Sequence, residues 1–134
     1  MKQVAATIAA FSFGVMLWAV PIIAHHSFAA EFDASKPVTV QGFVTKVEWT
    51  NPHVWFYVDV KKPDGTVENW GWEMGPPHGL QARGWTRTTM KLGDEVKIDG
   101  TLAKNGSRRG NARSVTMVST GKKLGAASSE GETP

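Results

Sequence analysis

After the first two dozen residues, hydrophobic and polar positions alternate along most of the chain, the period-two signature of half-buried strands. The densest such stretch runs from Glu48 to Val60. Val54, Phe56, Val58 and Val60 fall on one side of a pleated strand, and Trp55, Tyr57 and Asp59 on the other. Asn51-Pro52 favours a turn, and Pro52 pushes Asn51 out of helical angles, so His53 stands where a strand leaves a corner. Before it, Val38 to Trp49 reads as a first long strand. There Val38 and Val40 share one parity and Phe43, Thr45, Val47 and Trp49 the other. Gly42 lies at the change, which predicts a bulge or sharp bend at that position.

The same pattern continues downstream. Lys61 to Thr66 contains Asp64-Gly65, a pair that tolerates the positive φ of tight hairpins. Val67 to Met74 returns as a third strand with Glu68, Trp70, Trp72 and Met74 on one face, and Gly75 to Gly79 breaks it. Leu80 to Leu92 is the helix-like stretch, weakened by Gly84. Gly93 to Leu102 predicts a turn and a strand with Val96, Ile98 and Leu102 inward, and Ala112 to Val118 a final strand. The small polar residues from 119 onward predict a disordered tail.

Three strands, a short helical insertion and two more strands is the element order of a five-stranded OB-like barrel, a mainly β fold. A six-stranded sandwich or another small barrel is the alternative.

The first residues break the alternation. Met1-Lys2-Gln3 is a short cationic start, and Val4 to Ala24 is almost wholly apolar, the layout of a secretory signal helix. Cleavage after Ala24 makes His25 the new terminus. A cut after Ala29 and an uncleaved anchor of roughly 20 residues are the competing outcomes. The resulting division is 1–24 leader, 25–37 arm, 38–118 barrel and 119–134 tail, with the mature part periplasmic. Membrane contact is expected only through a retained leader.

The 134 residues suffice for one domain. There are no cysteines, which excludes disulfides, thiolate metal sites and cysteine nucleophiles. A formal charge of +3 does not point to nucleic acid, although Arg83 to Arg113 is basic and the preceding part acidic.

The leader ending in Ala-His-His-Ser-Phe, then Val-Thr-Lys-Val-Glu-Trp-Thr-Asn-Pro-His-Val, Trp-Glu-Met-Gly, Arg-Gly-Trp-Thr-Arg and Lys-Leu-Gly-Asp-Glu-Val, resembles a family of small exported bacterial proteins classed as a domain of unknown function. The resemblance spans about His25 to Val118 and implies export and a compact β-rich domain. It implies no activity, substrate or cofactor.

Candidate chemistry therefore comes from the residues. His25, freed by cleavage, offers an imidazole and an α-amine whose pKa of roughly 7.7–8.0 leaves it partly deprotonated near neutrality. With an imidazole from His53, and His26 as a further contributor, these make an all-nitrogen set suited to copper(II). His78, between Pro77 and Gly79, reads as a loop residue. Trp55, Tyr57, Trp70 and Trp72 are candidates for stacking on a glycan or gripping a protein partner in the cell envelope, unless the arm or the Trp85 segment folds over them. Arg83 and Arg87, and the pair Arg108-Arg109, are candidates for holding an anion such as phosphate or a carboxylate. No nucleophile elbow, zinc-protease motif, phosphate loop or dinucleotide fingerprint occurs, so a binding module is expected and not an enzyme.

Overall fold

The computed structural model describes residues 28–127, and the leader helix expected over 1–24 lies outside them. The described chain is mainly β. Its elements are α1 (Phe28–Glu31), β1 (Phe32–Glu48), β2 (Trp55–Lys61), β3 (Val67–Glu73), α2 (Pro77–Ala82), β4 (Glu95–Ala103), β5 (Arg109–Met117) and β6 (Lys123–Gly125).

The strands are joined in the order β3-β2-β1-β4-β5-β6, and β5 also pairs with β3. That last pairing, parallel over Gly71↔Arg109 to Glu73↔Asn111, closes the hydrogen bonding into a ring. All other pairings are antiparallel. β1 makes this possible by its length: its first part pairs with β4 and its second part with β2.

A strand that serves two neighbours must bend, and β1 does so at a bulge between Val44 and Lys46. The change of face expected at Gly42 therefore falls at Thr45. Val38, Val40 and Val44 pack inward before it, Val47 and Trp49 after it, and Phe43 is left exposed. Gly42 answers a different need, because a Cβ there would run into the Asp59 carbonyl.

The interior of the ring holds Phe56 and Val58 of β2, Trp72 of β3, Val96 and Ile98 of β4 and Val115 of β5. The expected hairpin between β2 and β3 forms on Asp64-Gly65, with Gly65 at φ 86° and Lys62 N–H donating to the Thr66 carbonyl at 2.8 Å. The helical insertion lies between β3 and β4 as expected, but it is shorter than Leu80 to Leu92 and begins earlier, inside the stretch read as a break. It is helical only over Pro77–Ala82, and Gly84 at φ 95° ends it. Leu80, Trp85 and Met90 from this segment are buried. Leu102 is half-buried while its neighbours Thr101 and Ala103 are buried, because the β4–β5 register shifts between Asp99 and Gly100.

The expectation of a disordered tail over 119–134 is overturned as far as residue 127, and residues 128–134 lie outside those described. The stretch read as a disordered tail from 119 supplies β6 and two buried alanines, Ala126 and Ala127. Backbone pairing explains it: Ala126 N–H donates to the Arg113 carbonyl at 2.9 Å, and Gly75 N–H to the Ala126 carbonyl at 2.8 Å. Small side chains let this segment lie close against the ring.

Candidate functional site

The corner before β2 delivers His53 as expected. The Asn51-Pro52 peptide is cis, and Val54 is tied on both sides to the end of β3: its N–H donates to the Gly75 carbonyl at 3.1 Å, and its own carbonyl accepts from Met74 N–H at 2.8 Å. His53 is thereby held beside Glu73, the last residue of β3. Its Nδ1 lies 3.3 Å from Glu73 Oε1. The parallel pairing of β3 with β5 sets Asn111 opposite Glu73, and the Asn111 amide donates to the same Oε1 at 3.3 Å.

Glu73 is the unusual group here. By parity it belongs to the outer face with Trp55, its partner across the β2–β3 ladder, yet it is only 8% exposed. Burial pushes its carboxyl above the usual carboxylate range. The His53 imidazole pulls the other way, the Glu31 charge adds to the upward push, and the bonds from His53 and Asn111 again oppose it. Asn111 is fully buried, and its Oδ1 has no hydrogen-bond partner.

Beside this trio the outer face carries aromatic and cationic groups. Trp55 and Tyr57 are half-buried and pack over Gly71, where a Cβ would meet the Tyr57 ring at 3.1 Å. The Arg109 guanidinium lies 4.7 Å from the Trp55 ring centre, and Lys46 Nζ lies 5.3 Å from that of Tyr57. Glu48 completes the strip. It pairs with Lys46 and accepts from the Tyr57 hydroxyl, and Lys46 foremost holds its carboxyl below the usual range.

The amino-terminal arm reaches this end of the ring. Phe32 pairs with Ala103 in the β1–β4 ladder, and the Lys104 N–H donates to the Glu31 carbonyl at 2.9 Å. Phe28 and Phe32, four apart in sequence, bring their rings to 5.6 Å across α1.

A profile of the family of unknown function DUF6152 matches residues 14–113. The chain belongs to that family. The matched range spans the positions of the arm, His53, Glu73, Arg109 and Asn111. No curated protein matches the chain.

The other expected site residues divide. His25 and His26 lie outside the described residues. Among the described residues no three of His, Cys, Asp and Glu are grouped as a metal-holding set. His78 is exposed on α2. The four aromatics taken as one stacking set are split between two faces. Trp70 and Trp72 stand opposite Val58 and Phe56 in the ladder, hence inward, and Trp72 is fully buried with its ring 6.2 Å from Trp70. A buried indole cannot stack on a ligand outside. Arg83 donates to the Ala127 carbonyl, whereas Arg87 is exposed, so the two do not form a clamp around an anion.

Sequence reasoning passed over Asn111 as a site residue, and it named Arg109 only beside Arg108 as a candidate for holding an anion. Only the alternation marks Glu73, as a carboxylate next to Trp72 and Met74. Nothing local marks Asn111, because its role follows from the β3–β5 closure.

Proposed function

We propose that this chain is an exported, periplasmic, non-enzymatic binding protein on an OB-like barrel. In this reading it holds a transition metal, copper, through His53 and the amino-terminal histidines His25 and His26. The observation that carries the reading is the His53–Glu73 pair. A carboxylate on Nδ1 fixes the imidazole tautomer and orientation and leaves Nε2 as the coordinating lone pair, the usual arrangement around metal-bound histidine. Asn111 in turn fixes the carboxylate.

The reach of the arm is a second support. His25 precedes Glu31 by six residues, a span of up to roughly 20 Å when extended, and Glu31 is close enough for its charge to act on Glu73. The strand order, closed from β5 to β3 with a helical segment between β3 and β4, supports the OB-like assignment.

The test is to isolate the exported protein, sequence its amino terminus and titrate copper(II) by calorimetry with electron paramagnetic resonance. A His25 terminus, stoichiometric binding with a nitrogen-rich spectrum, and its loss in His53→Ala are expected. Unchanged binding in His53→Ala, or none in the wild type, sinks the reading.

A second reading rests on the half-exposed Trp55 and Tyr57 with Lys46 and Arg109 over their rings. Such a strip suits a glycan or a protein partner in the cell envelope. Metal-independent co-purification of an envelope protein, lost in Tyr57→Ala, favours this alternative.

A further inference from the structure

Of the asparagines in the chain, Asn51, Asn69, Asn105 and Asn111, one stands in surroundings unlike the rest. Asn105 lies in the turn that joins β4 to β5 and is followed by Gly106, and both are exposed. Its side-chain Oδ1 accepts from the Ser107 N–H at 3.0 Å, so the amide is folded along the main chain that follows it. Its amide nitrogen makes no hydrogen bond among the described residues.

Gly106 supplies the other half of the arrangement. It sits at φ 74°, and apart from its chain neighbours no atom lies within 4 Å of where a Cβ would stand. Its N–H reaches only the Ala103 carbonyl, at 3.4 Å, longer than an ordinary backbone hydrogen bond. A lightly held main-chain nitrogen with no side chain over it thus follows an amide carbon whose oxygen already meets a donor.

The other asparagines each lack a part of this. Asn51 precedes Pro52, which has no N–H to lose. Asn69 lies within β3, and its amide nitrogen donates to Thr45 at 3.0 Å and to Asp59 at 2.8 Å. Asn111 is fully buried in β5 and donates to Glu73. Asp64-Gly65 repeats the turn, with Asp64 Oδ1 accepting from the Thr66 N–H at 2.9 Å. There the bonds from Thr66 hold the carboxyl below the usual range, and an ionised carboxylate resists a nucleophile.

We propose that Asn105 is a site of spontaneous modification, converting to aspartate and isoaspartate through a cyclic imide. The Gly106 main-chain nitrogen bonds to Asn105 Cγ and gives up its proton. The Cγ–Nδ2 bond breaks, and Nδ2 leaves with that proton as ammonia. The Ser107 N–H meets the negative charge that develops on Oδ1 during the attack, the part played by an oxyanion donor. Water then opens the imide ring. Opening at Cγ yields aspartate, and opening at the Asn105 main-chain carbonyl yields isoaspartate, whose backbone runs through the side chain. Either product sets a new carboxylate on the wall of a cavity of about 220 Å³ that Glu31 and Lys104 also line. The proposal stands apart from the metal reading, since it uses none of the histidines.

The test is incubation of the protein at mildly alkaline pH, where its circular dichroism remains that of the folded chain. Proteolysis and mass spectrometry with fragmentation that separates aspartate from isoaspartate then follow each asparagine. A synthetic peptide with the sequence of residues 103–108, incubated alongside, gives the rate without the fold. Conversion of Asn105 at no less than about a tenth of the peptide's rate is expected, within one tenfold step in the barrier. The rate rises with pH, because the Gly106 nitrogen attacks as its proton leaves. An acidic form accumulates in isoelectric focusing over the same period and is lost in Asn105→Gln, while Asn69 and Asn111 stay amides. A slower rate than that fraction in the folded protein overturns the proposal. So does conversion at Asn69 or Asn111 equal to that at Asn105, or an acidic form of the same yield in Asn105→Gln.

Discussion

His53 and Glu73, twenty positions apart, meet with Nδ1 3.3 Å from Oε1 because the corner before β2 is tied to the end of β3 on both sides of Val54. In the proposed metal site this carboxylate orients the ligand and raises its basicity. Glu73→Gln keeps the shape and removes the charge. It is expected to lower copper affinity by about tenfold, the lower end for loss of such a partner. Competition titration against a chelator of known affinity measures it, and an unchanged value separates Glu73 from the metal.

The same carboxyl has a signature in stability. Burial raises the folded-state pKa of Glu73 above its ordinary value of 4.5. Between those two values the folded chain keeps a proton that the unfolded chain has released. The stability linked to that proton is fully present below the unfolded value and is lost as pH rises through the folded one. Glu73→Gln cannot ionise and escapes this loss. The melting temperature of the variant minus that of wild type is therefore expected to rise as pH increases above the ordinary value of 4.5. A flat or falling difference contradicts the raised pKa.

Gly110 is a packing requirement. A Cβ there would press into the Trp72 ring and approach the Thr101 carbonyl at 2.8 Å, and neither backbone nor a buried indole gives way easily. Gly110→Ala is expected to destabilise the fold by about 1–3 kcal/mol through overpacking. Urea denaturation measures this, and a loss under about 0.5 kcal/mol, the range of ordinary surface changes, would mean that Trp72 can move aside.

The segment after β5 is part of the fold. Gly125 accepts from the Trp85 indole N–H at 2.8 Å, Ala126 makes two backbone bonds, and the Ala127 carbonyl accepts from Arg83. A chain ending at Lys122 loses all four. At about 1 kcal/mol each the loss is roughly 4 kcal/mol, with Trp85 left as a buried donor without a partner. A chain ending at Ala127 retains these contacts and is expected to be the more stable of the two truncations. Paired denaturation curves decide it, and equal stability of the two truncations would remove the structural role of β6.

Much of the architecture is legible in the residue pattern because it rests on local rules. Asp64-Gly65 names its hairpin through the positive φ it tolerates, and Val54, Phe56 and Val58 name the inward face of β2 through a two-residue period. Parity arguments fail where the ladder slips. At Thr45 the bulge moves the change of face three residues beyond Gly42, since a bulge belongs to a pair of strands and not to one. The segment after 119 misleads for a related reason. Its small polar residues carry no periodicity, yet its backbone finds partners on β5 and at the β3–α2 junction.

The amino-acid order alone determined the sequence of the first five strands, the β2–β3 turn, an insertion before β4 and the position of His53 at a corner. All of these follow from φ preferences and side-chain alternation within a few neighbours. Tertiary structure alone decided that Glu73 is buried, that Asn111 holds it, that Trp72 faces inward while Trp55 faces out, and that Arg109 covers Trp55. The hold of Asn111 on Glu73 and the place of Arg109 depend on closing β5 against β3, a contact between segments nearly forty residues apart. No local preference encodes that closure, because its driving force is the shared burial of side chains from every strand of the ring.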